Sequence, residues 1–182
     1  MLKNKLLTLG GAISILAIGA CFLPPPQRRS PQPPRALPPQ LQGIRTIHVI
    51  VIDNSIPAHL DTAGVAADIV RYINTLDLGG VVRAHAGDRP ADADLQVSVL
   101  NEIATLQRTM PPTGNEAWDF DLTISATLKN HDGSILSQKL NAPLRCSTIL
   151  PAKHSDDVWS MPAVRTGCNA VLRFGATQGI LF

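Results

Sequence analysis

The sequence lacks the motifs with which enzymes usually build an active site. Its five histidines are scattered, and none belongs to an HxH, HxxxH or HExxH pattern from which a zinc site could start. There is no GxSxG, SxxK or CxxC motif, and no glycine-rich loop of the Walker or Rossmann type. We therefore predict no catalytic residue, no metal site and no cofactor. A hydrolase whose site is assembled from distant residues is the alternative.

Charge is absent from a segment near the start of the chain. After the basic Lys3 and Lys5, residues 6–21 carry no charge, which is typical of a secretory signal peptide. A membrane-spanning helix needs ~20 apolar residues, and here a proline triplet begins at Pro24, soon after the uncharged run starts. We therefore favour a signal peptide over a transmembrane helix.

Acidic residues are absent from the next segment, which is rich in proline. Residues 22–43 contain eight prolines and three arginines. Such a composition cannot bury a core and favours extended polyproline II, which at ~3.1 Å per residue reaches roughly 70 Å. The arginines could touch anionic lipid or peptidoglycan, but a solvated linker is the simpler interpretation. We predict a tether over residues 21–43.

The remaining residues, 44–182, have the length of a single domain. They carry eleven basic and fourteen acidic side chains, a formal charge of −3, so the basic residues in excess lie in the first 43 residues. No basic cluster marks the domain. Nucleic acid is therefore not an expected partner.

Hydrophobic periodicity predicts an α+β domain: a mainly antiparallel sheet of four to five strands with two helices packed on one face. A slip in the alternation near Leu100 predicts a β-bulge. Asp61 or Thr62 is the expected N-cap of the first helix. The predicted strands cover residues 44–55, 81–86, 91–108 and 117–129, with a partner strand beginning near Ser134, and the predicted helices cover residues 60–76 and about 164–175.

One predicted strand alternates without interruption over residues 118–129. Its outward positions include Asp119, Asp121 and Thr123, and the turn after it contains His131. One face of this strand should therefore be wet, and these four residues are our candidate partner contacts. The pairs Asp92/Asp94 and Asp119/Asp121 could bind calcium if loop carbonyls joined them, although solvated acids are the simpler interpretation.

The boundary Ile18-Gly19-Ala20-Cys21 resembles the lipobox of bacterial lipoproteins. The resemblance implies a signal peptide over residues 1–20, cleavage before Cys21, and fatty acyl chains such as palmitate on that cysteine. Ordinary secretory cleavage with a free Cys21 thiol is the alternative. Phe22 stands where an aspartate would imply the inner membrane. The resemblance therefore implies an outer-membrane anchor with the domain facing the periplasm.

Two further cysteines, Cys146 and Cys168, lie in the domain. An exported chain meets an oxidising compartment, so with Cys21 lipidated this even pair is a plausible disulfide. The bond would close a 22-residue segment and contribute ~3 kcal/mol. Two separate buried thiols are the alternative.

Several segments of the domain resemble the lipopolysaccharide-assembly lipoproteins of the LptE type. They are "VIVIDNS" before the helix "LDTAGVAADIVRYI", then "ADADLQVSVL" and "FDLTISATLKNHDGSIL". This resemblance implies a non-catalytic lipoprotein that binds an outer-membrane β-barrel or lipopolysaccharide. The same β-α-β opening is also similar to curli-secretion lipoproteins and to lipoprotein activators of peptidoglycan synthases, so a regulator of an envelope enzyme is the alternative.

Overall fold

A computed structural model gives the fold, and it describes residues 37–76, 78, 82–154, 156–178 and 181. The predicted signal peptide, Cys21 and most of the predicted tether lie outside the described residues. The strands are β1 (Thr46–Asp53), β2 (Arg83–His85), β3 (Ala93–Met110), β4 (Asn115–Asn130) and β5 (Ile135–Leu150), and the helices are α1 (Thr62–Thr75) and α2 (Pro162–Thr177). The chain order is β1-α1-β2-β3-β4-β5-α2, which confirms the predicted α+β class.

The five strands form one mixed sheet in the order β2-β1-β3-β4-β5. The long strands β3, β4 and β5 are antiparallel, as predicted, but β1 runs parallel to both of its neighbours. Parallel neighbours require a crossover connection, and α1 provides the one between β1 and β2. The sheet is therefore antiparallel along its long strands and parallel around β1.

Both helices pack on the same face of the sheet, here called the inner face. The core lies between this face and the helices, and its buried side chains include Ile69 of α1, Leu172 of α2, and Phe120, Leu122 and Ile124 of β4. No helix within the described ranges is long and apolar enough to span a bilayer. The other face of the sheet, here called the open face, is not covered by either of the two helices that the described residues form.

The two helices begin and pack as their sequences require. The Asp61 side chain caps α1 by accepting a hydrogen bond from the Gly64 N–H at 3.1 Å, which confirms the predicted start. α2 contains two glycines because it lies close to β5. A Cβ on Gly167 would collide with Sγ of Cys146, and one on Gly175 would lie 2.6 Å from Cδ2 of Leu144. The glycines lower helix propensity but permit this close contact.

The end of the predicted tether packs against the domain. Residues Pro39–Leu41 form a short 3-10 turn, the Leu41 side chain is fully buried, and Leu37 contacts the core. Composition alone treats these residues as linker because prolines dominate the segment. The two leucines nevertheless supply enough apolar surface for residues 37–43 to lie against the folded body.

Two local predictions along the long strands are confirmed. The turn between β4 and β5 closes with the Asn130 N–H donating to the Ser134 carbonyl at 2.8 Å, and Gly133 has a φ of +85°. The register of β3 against β4 shifts between Val99 and Asn101, at the slip predicted near Leu100. This bulge turns Glu102 toward the inner face, where it lies opposite the buried Leu122.

Candidate functional site

The open face of β3, β4 and β5 contains three of the four predicted contact residues. Asp119, Asp121 and Thr123 alternate along β4 with the buried Phe120 and Leu122, as the sequence predicts. The three outward side chains are half-buried because β4 has a neighbouring strand on each side. They lie at the centre of a sheet face with strands extending on both flanks.

An arginine on the neighbouring strand bridges the two aspartates. Arg145 Nε lies 2.6 Å from Asp121 Oδ1, its Nη2 lies 3.2 Å from Asp121 Oδ2, and its Nη1 lies 3.7 Å from Asp119 Oδ2. Ser147 Oγ donates to Asp119 Oδ1 at 2.6 Å. The hydrogen bond and charge of Asp121, with the charge of Asp119, raise the pKa of Arg145. The two carboxylates are therefore already paired, which argues against a calcium site between them.

Isoleucine side chains flank this polar centre on the open face. Ile103 lies opposite Asp121 and is 48% exposed, and Ile149 lies opposite Ala117 and is 58% exposed. Ile52 of β1 is 37% exposed on the same face. A charged centre with apolar flanks offers both directional and hydrophobic contacts. Single exposed isoleucines, however, are common on the surfaces of monomeric proteins.

The fourth predicted contact, His131, lies elsewhere. It borders an open groove of about 650 Å³ at the end of the sheet where the chain enters from residue 37, together with Pro39, Ile44, Asp92 and Leu136. Strands rise ~3.4 Å per residue. The seven residues from Thr123 to Asn130 therefore place this groove roughly 24 Å from Thr123, the nearest of the three predicted contacts on β4. The structure therefore does not bring the four predicted contacts together.

Asp92 and Asp94 serve the fold and do not form a calcium pair. Asp92 Oδ2 accepts from the N–H groups of Arg45 and Thr46 at 2.9 Å each, and these hydrogen bonds lower its pKa. Asp94 Oδ1 lies 3.2 Å from Nδ1 of His48, and the His48 ring stacks on His85. In the described part of the chain no three His, Cys, Asp or Glu side chains converge as metal ligands.

The two domain cysteines lie together but are not bonded. Cys146 on β5 and Cys168 on α2 are both buried free thiols, so the predicted disulfide is absent from the structure. Burial is the main cause that raises the pKa of each thiol. The two thiols nevertheless lie in contact, and the hydrogen bond between them also affects the pKa of each.

Sequence reasoning missed a pair of carboxyl groups at the far end of β1. Asp53 ends β1, and Glu102 lies beyond the bulge in β3. Burial raises the pKa of Glu102 to about 7, and the hydrogen bond and charge of Asp53 add to the shift. The break in alternation near Leu100 was the sequence signal for this pair, because residues after a β-bulge change the face of the sheet on which they lie.

The serine beside this pair has a structural hydrogen-bonding role. Ser55 Oγ donates to Asp53 Oδ1 at 2.6 Å and lies 3.2 Å from the Pro57 carbonyl. These contacts close the turn that follows β1. A serine nucleophile would instead need a base positioned to take its proton. The Asp53 carboxylate does accept a hydrogen bond from the Ser55 hydroxyl, but the pKa of Asp53 is lowered, so it is a weak base for activating a nucleophile.

No protein-family model matches the chain, and no curated protein sequence matches it. Several solved structures are similar in fold. A PelC dodecamer from Paraburkholderia phytofirmans has 8% identity over 83% of this chain and 96% of its own, with a TM-score of 0.40. Uncharacterized lipoprotein B from Nitrosomonas europaea has 14% identity over 79% and 81%, with a TM-score of 0.41. A minor lipoprotein from Acinetobacter baumannii has 10% identity over 74% and 86%, with a TM-score of 0.39. Likeness at this level assigns no function.

Proposed function

We propose that this protein is a non-catalytic lipoprotein, anchored through Cys21 in the outer membrane, whose periplasmic domain takes part in envelope assembly. Its partner is an outer-membrane β-barrel or lipopolysaccharide, as in the LptE-type lipoproteins. The observation that carries the proposal is a lipobox-like cysteine in a chain whose two described helices both leave the same sheet face uncovered. Acyl chains confine the domain to a surface, and this raises the local concentration of any partner in the same membrane.

The open face supplies the contact surface in this proposal. Both helices lie on the inner face, so the partner meets β3, β4 and β5 directly. The Asp119–Arg145–Asp121 ladder offers charge at the centre, and Ile103 and Ile149 offer apolar area beside it. Because Arg145 is exposed, its ion pairs with Asp119 and Asp121 add little to the folding free energy. These side chains are therefore available to form ion pairs with a partner instead.

The packing of residues 37–43 against the domain removes them from the predicted tether. The predicted tether shortens to residues 22–36, for which extended polyproline II at ~3.1 Å per residue gives a reach of roughly 45 Å. A shorter reach favours a partner in the same membrane over a distant one. This is the reason we place a β-barrel or lipopolysaccharide before the alternative.

The alternative is a lipoprotein regulator that activates a peptidoglycan synthase or another envelope enzyme. The proline-rich composition of residues 22–36 favours it, because a stiff segment holds a domain away from its membrane. In that case the open face would contact an enzyme in the periplasm, and the acyl chains on Cys21 would still insert into the outer membrane.

Photo-crosslinking from the open face separates these partners. A benzoyl-phenylalanine at Ile103 samples the open face, and one at Arg71, which is 72% exposed on α1, is the matched control on the opposite side. We expect a crosslink to a β-barrel or to lipopolysaccharide from position 103 only. A crosslink to a peptidoglycan synthase would establish the alternative, and equal crosslinking from both positions would contradict docking through the open face.

A further inference from the structure

Two carboxyl groups fasten the segment that joins β1 to α1, residues 54–61. Asp53 Oδ1 accepts from the N–H and Oγ of Ser55 at 2.9 and 2.6 Å, and its Oδ2 accepts from the Leu60 N–H at 3.4 Å. Glu102 Oε2 accepts from the His59 N–H at 3.1 Å. The segment is therefore held near both of its ends by side chains from two neighbouring strands.

The Asp53/Glu102 pair has no cation to balance it. Within the described residues, neither carboxyl forms an ion pair with a lysine or arginine. Glu102 Oε1 is sealed from solvent, and no N–H or O–H group of the described residues donates to it. Two carboxylates in contact repel each other when both are ionised, whereas one shared proton turns repulsion into a hydrogen bond. The geometry thus favours a single proton on the pair.

The surroundings of the pair shift the pKa values of its two carboxyl groups in opposite directions. Burial raises the pKa of Glu102 to about 7, with Asp53 adding to the shift. Burial also acts to raise the pKa of Asp53, but hydrogen bonds from Ser55 and Leu60 outweigh it and leave that pKa below its ordinary value. The other titratable groups nearby are His59 on the segment and the Cys168 thiol on α2. The proton therefore belongs to Glu102 and leaves it near neutral pH.

Aromatic packing lies behind the fastened segment. The His59 ring stacks on Trp159 with centroids 5.2 Å apart, and Trp159 meets the buried Phe120 edge-on at 4.9 Å. A small cavity is lined by His59, Trp159 and Cys168. Movement of the segment would uncover Trp159 and open this cavity toward solvent.

We propose that Asp53 and Glu102 form a proton-operated latch on residues 54–61. With the proton in place, Glu102 donates to Asp53 and the segment stays against the inner face and over Trp159. When the proton leaves to solvent, the two carboxylates repel each other and the segment opens. The latch is independent of the lipid anchor and of any docking partner, so it stands or fails separately from the proposed function.

Amide chemical shifts of Ser55 and Leu60, recorded on the full chain across pH 4–9, test the latch. The measurement uses a His59→Phe background, which keeps an aromatic ring over Trp159 and removes the imidazole from the segment. We expect both amides to report a transition near pH 7. The transition should disappear in Glu102→Gln, whose amide imitates the protonated acid, and should move well below pH 7 in Asp53→Asn. In Asp132→Asn, an exposed acid in the β4–β5 turn, it should be unchanged.

Hydrogen exchange tests the opening itself. After correction for intrinsic exchange rates, the His59 and Leu60 amides should exchange at least about tenfold faster above pH 8 than below pH 6, and this ratio should fall to about one in Glu102→Gln. Transitions that persist near pH 7 in Glu102→Gln would overturn the assignment to Glu102. Equal corrected exchange across the whole pH range would overturn the opening.

Discussion

Two pairs of acidic side chains lie on opposite faces of the same sheet and behave differently. Asp119 and Asp121 on the open face share Arg145, and solvent screens the charges that remain. Asp53 and Glu102 on the inner face have no basic partner among the described residues and are partly buried. The open-face pair is balanced by an arginine, whereas the inner pair retains a proton up to about neutral pH.

The comparison shows that the face on which a carboxyl group lies decides its chemistry. Along β3 the deciding event is the bulge between Val99 and Asn101. Without that extra residue, Glu102 would follow the outward alternation and resemble the open-face acids. A shift of one residue in strand register therefore decides whether Glu102 is an ordinary surface acid or a partly buried acid with a raised pKa.

The largest expected effect comes from truncating a side chain on the inner face. Phe120→Ala should cost about 3–5 kcal/mol of unfolding free energy, because it removes a fully buried ring that also supports Trp159. The matched open-face change Thr123→Ala should stay within about 0.5 kcal/mol. Urea denaturation followed by circular dichroism measures both. Similar losses for the two variants would contradict the assignment of faces.

The next largest effect is the pH dependence of the unfolding free energy that Glu102 causes. Because the pKa of Glu102 rises from an ordinary value of 4.5 to about 7, its stabilising contribution is complete below pH 4.5 and is lost as pH rises through 7. After allowance for partial exposure, we expect the unfolding free energy to fall by about 1–2 kcal/mol over that range. Glu102→Gln should remove the slope. A wild-type urea midpoint that rises between pH 5 and 7 would contradict it.

The smallest effect concerns the open-face pair. Arg145→Ala should change the urea midpoint only slightly, because the arginine is exposed and solvent screens its ion pairs. Any coupling measured in a double-mutant cycle with Asp121→Asn should shrink as salt is added. A large, salt-insensitive coupling would mean that the ladder supports the fold, and that its charges are not available to a partner.

Local patterns in the sequence were enough to predict much of the fold. The alternation of β4, the Gly133 turn, the Asp61 cap and the slip near Leu100 each depend on neighbouring residues, and the structure contains all four. The parallel pairing of β1 with β3 depends on the order of strands in the sheet, which spacing alone cannot show. The burial of Leu41 was hidden by the prolines around it.

The candidate sites were harder to predict because they combine distant residues. The contact between Asp53 and Glu102 joins positions on two strands, and neither residue stands in a recognisable motif. The proximity of Cys146 and Cys168 was predictable from an even count in an exported chain, but their chemical state was not. Asp119, Asp121 and Thr123 lie together because they belong to one strand, whereas His131 was grouped with them only by nearness in sequence.

The central claim is that acyl chains on Cys21 attach this protein to a membrane, and mass spectrometry of the membrane-extracted protein tests it most directly. We predict that its first residue is Cys21 and that the peptide carries the mass of a diacylglyceryl group with an additional acyl chain. A Cys21→Ser variant should retain its signal peptide or leave the membrane fraction. A wild-type chain that begins at another residue with an unmodified Cys21 would contradict the claim.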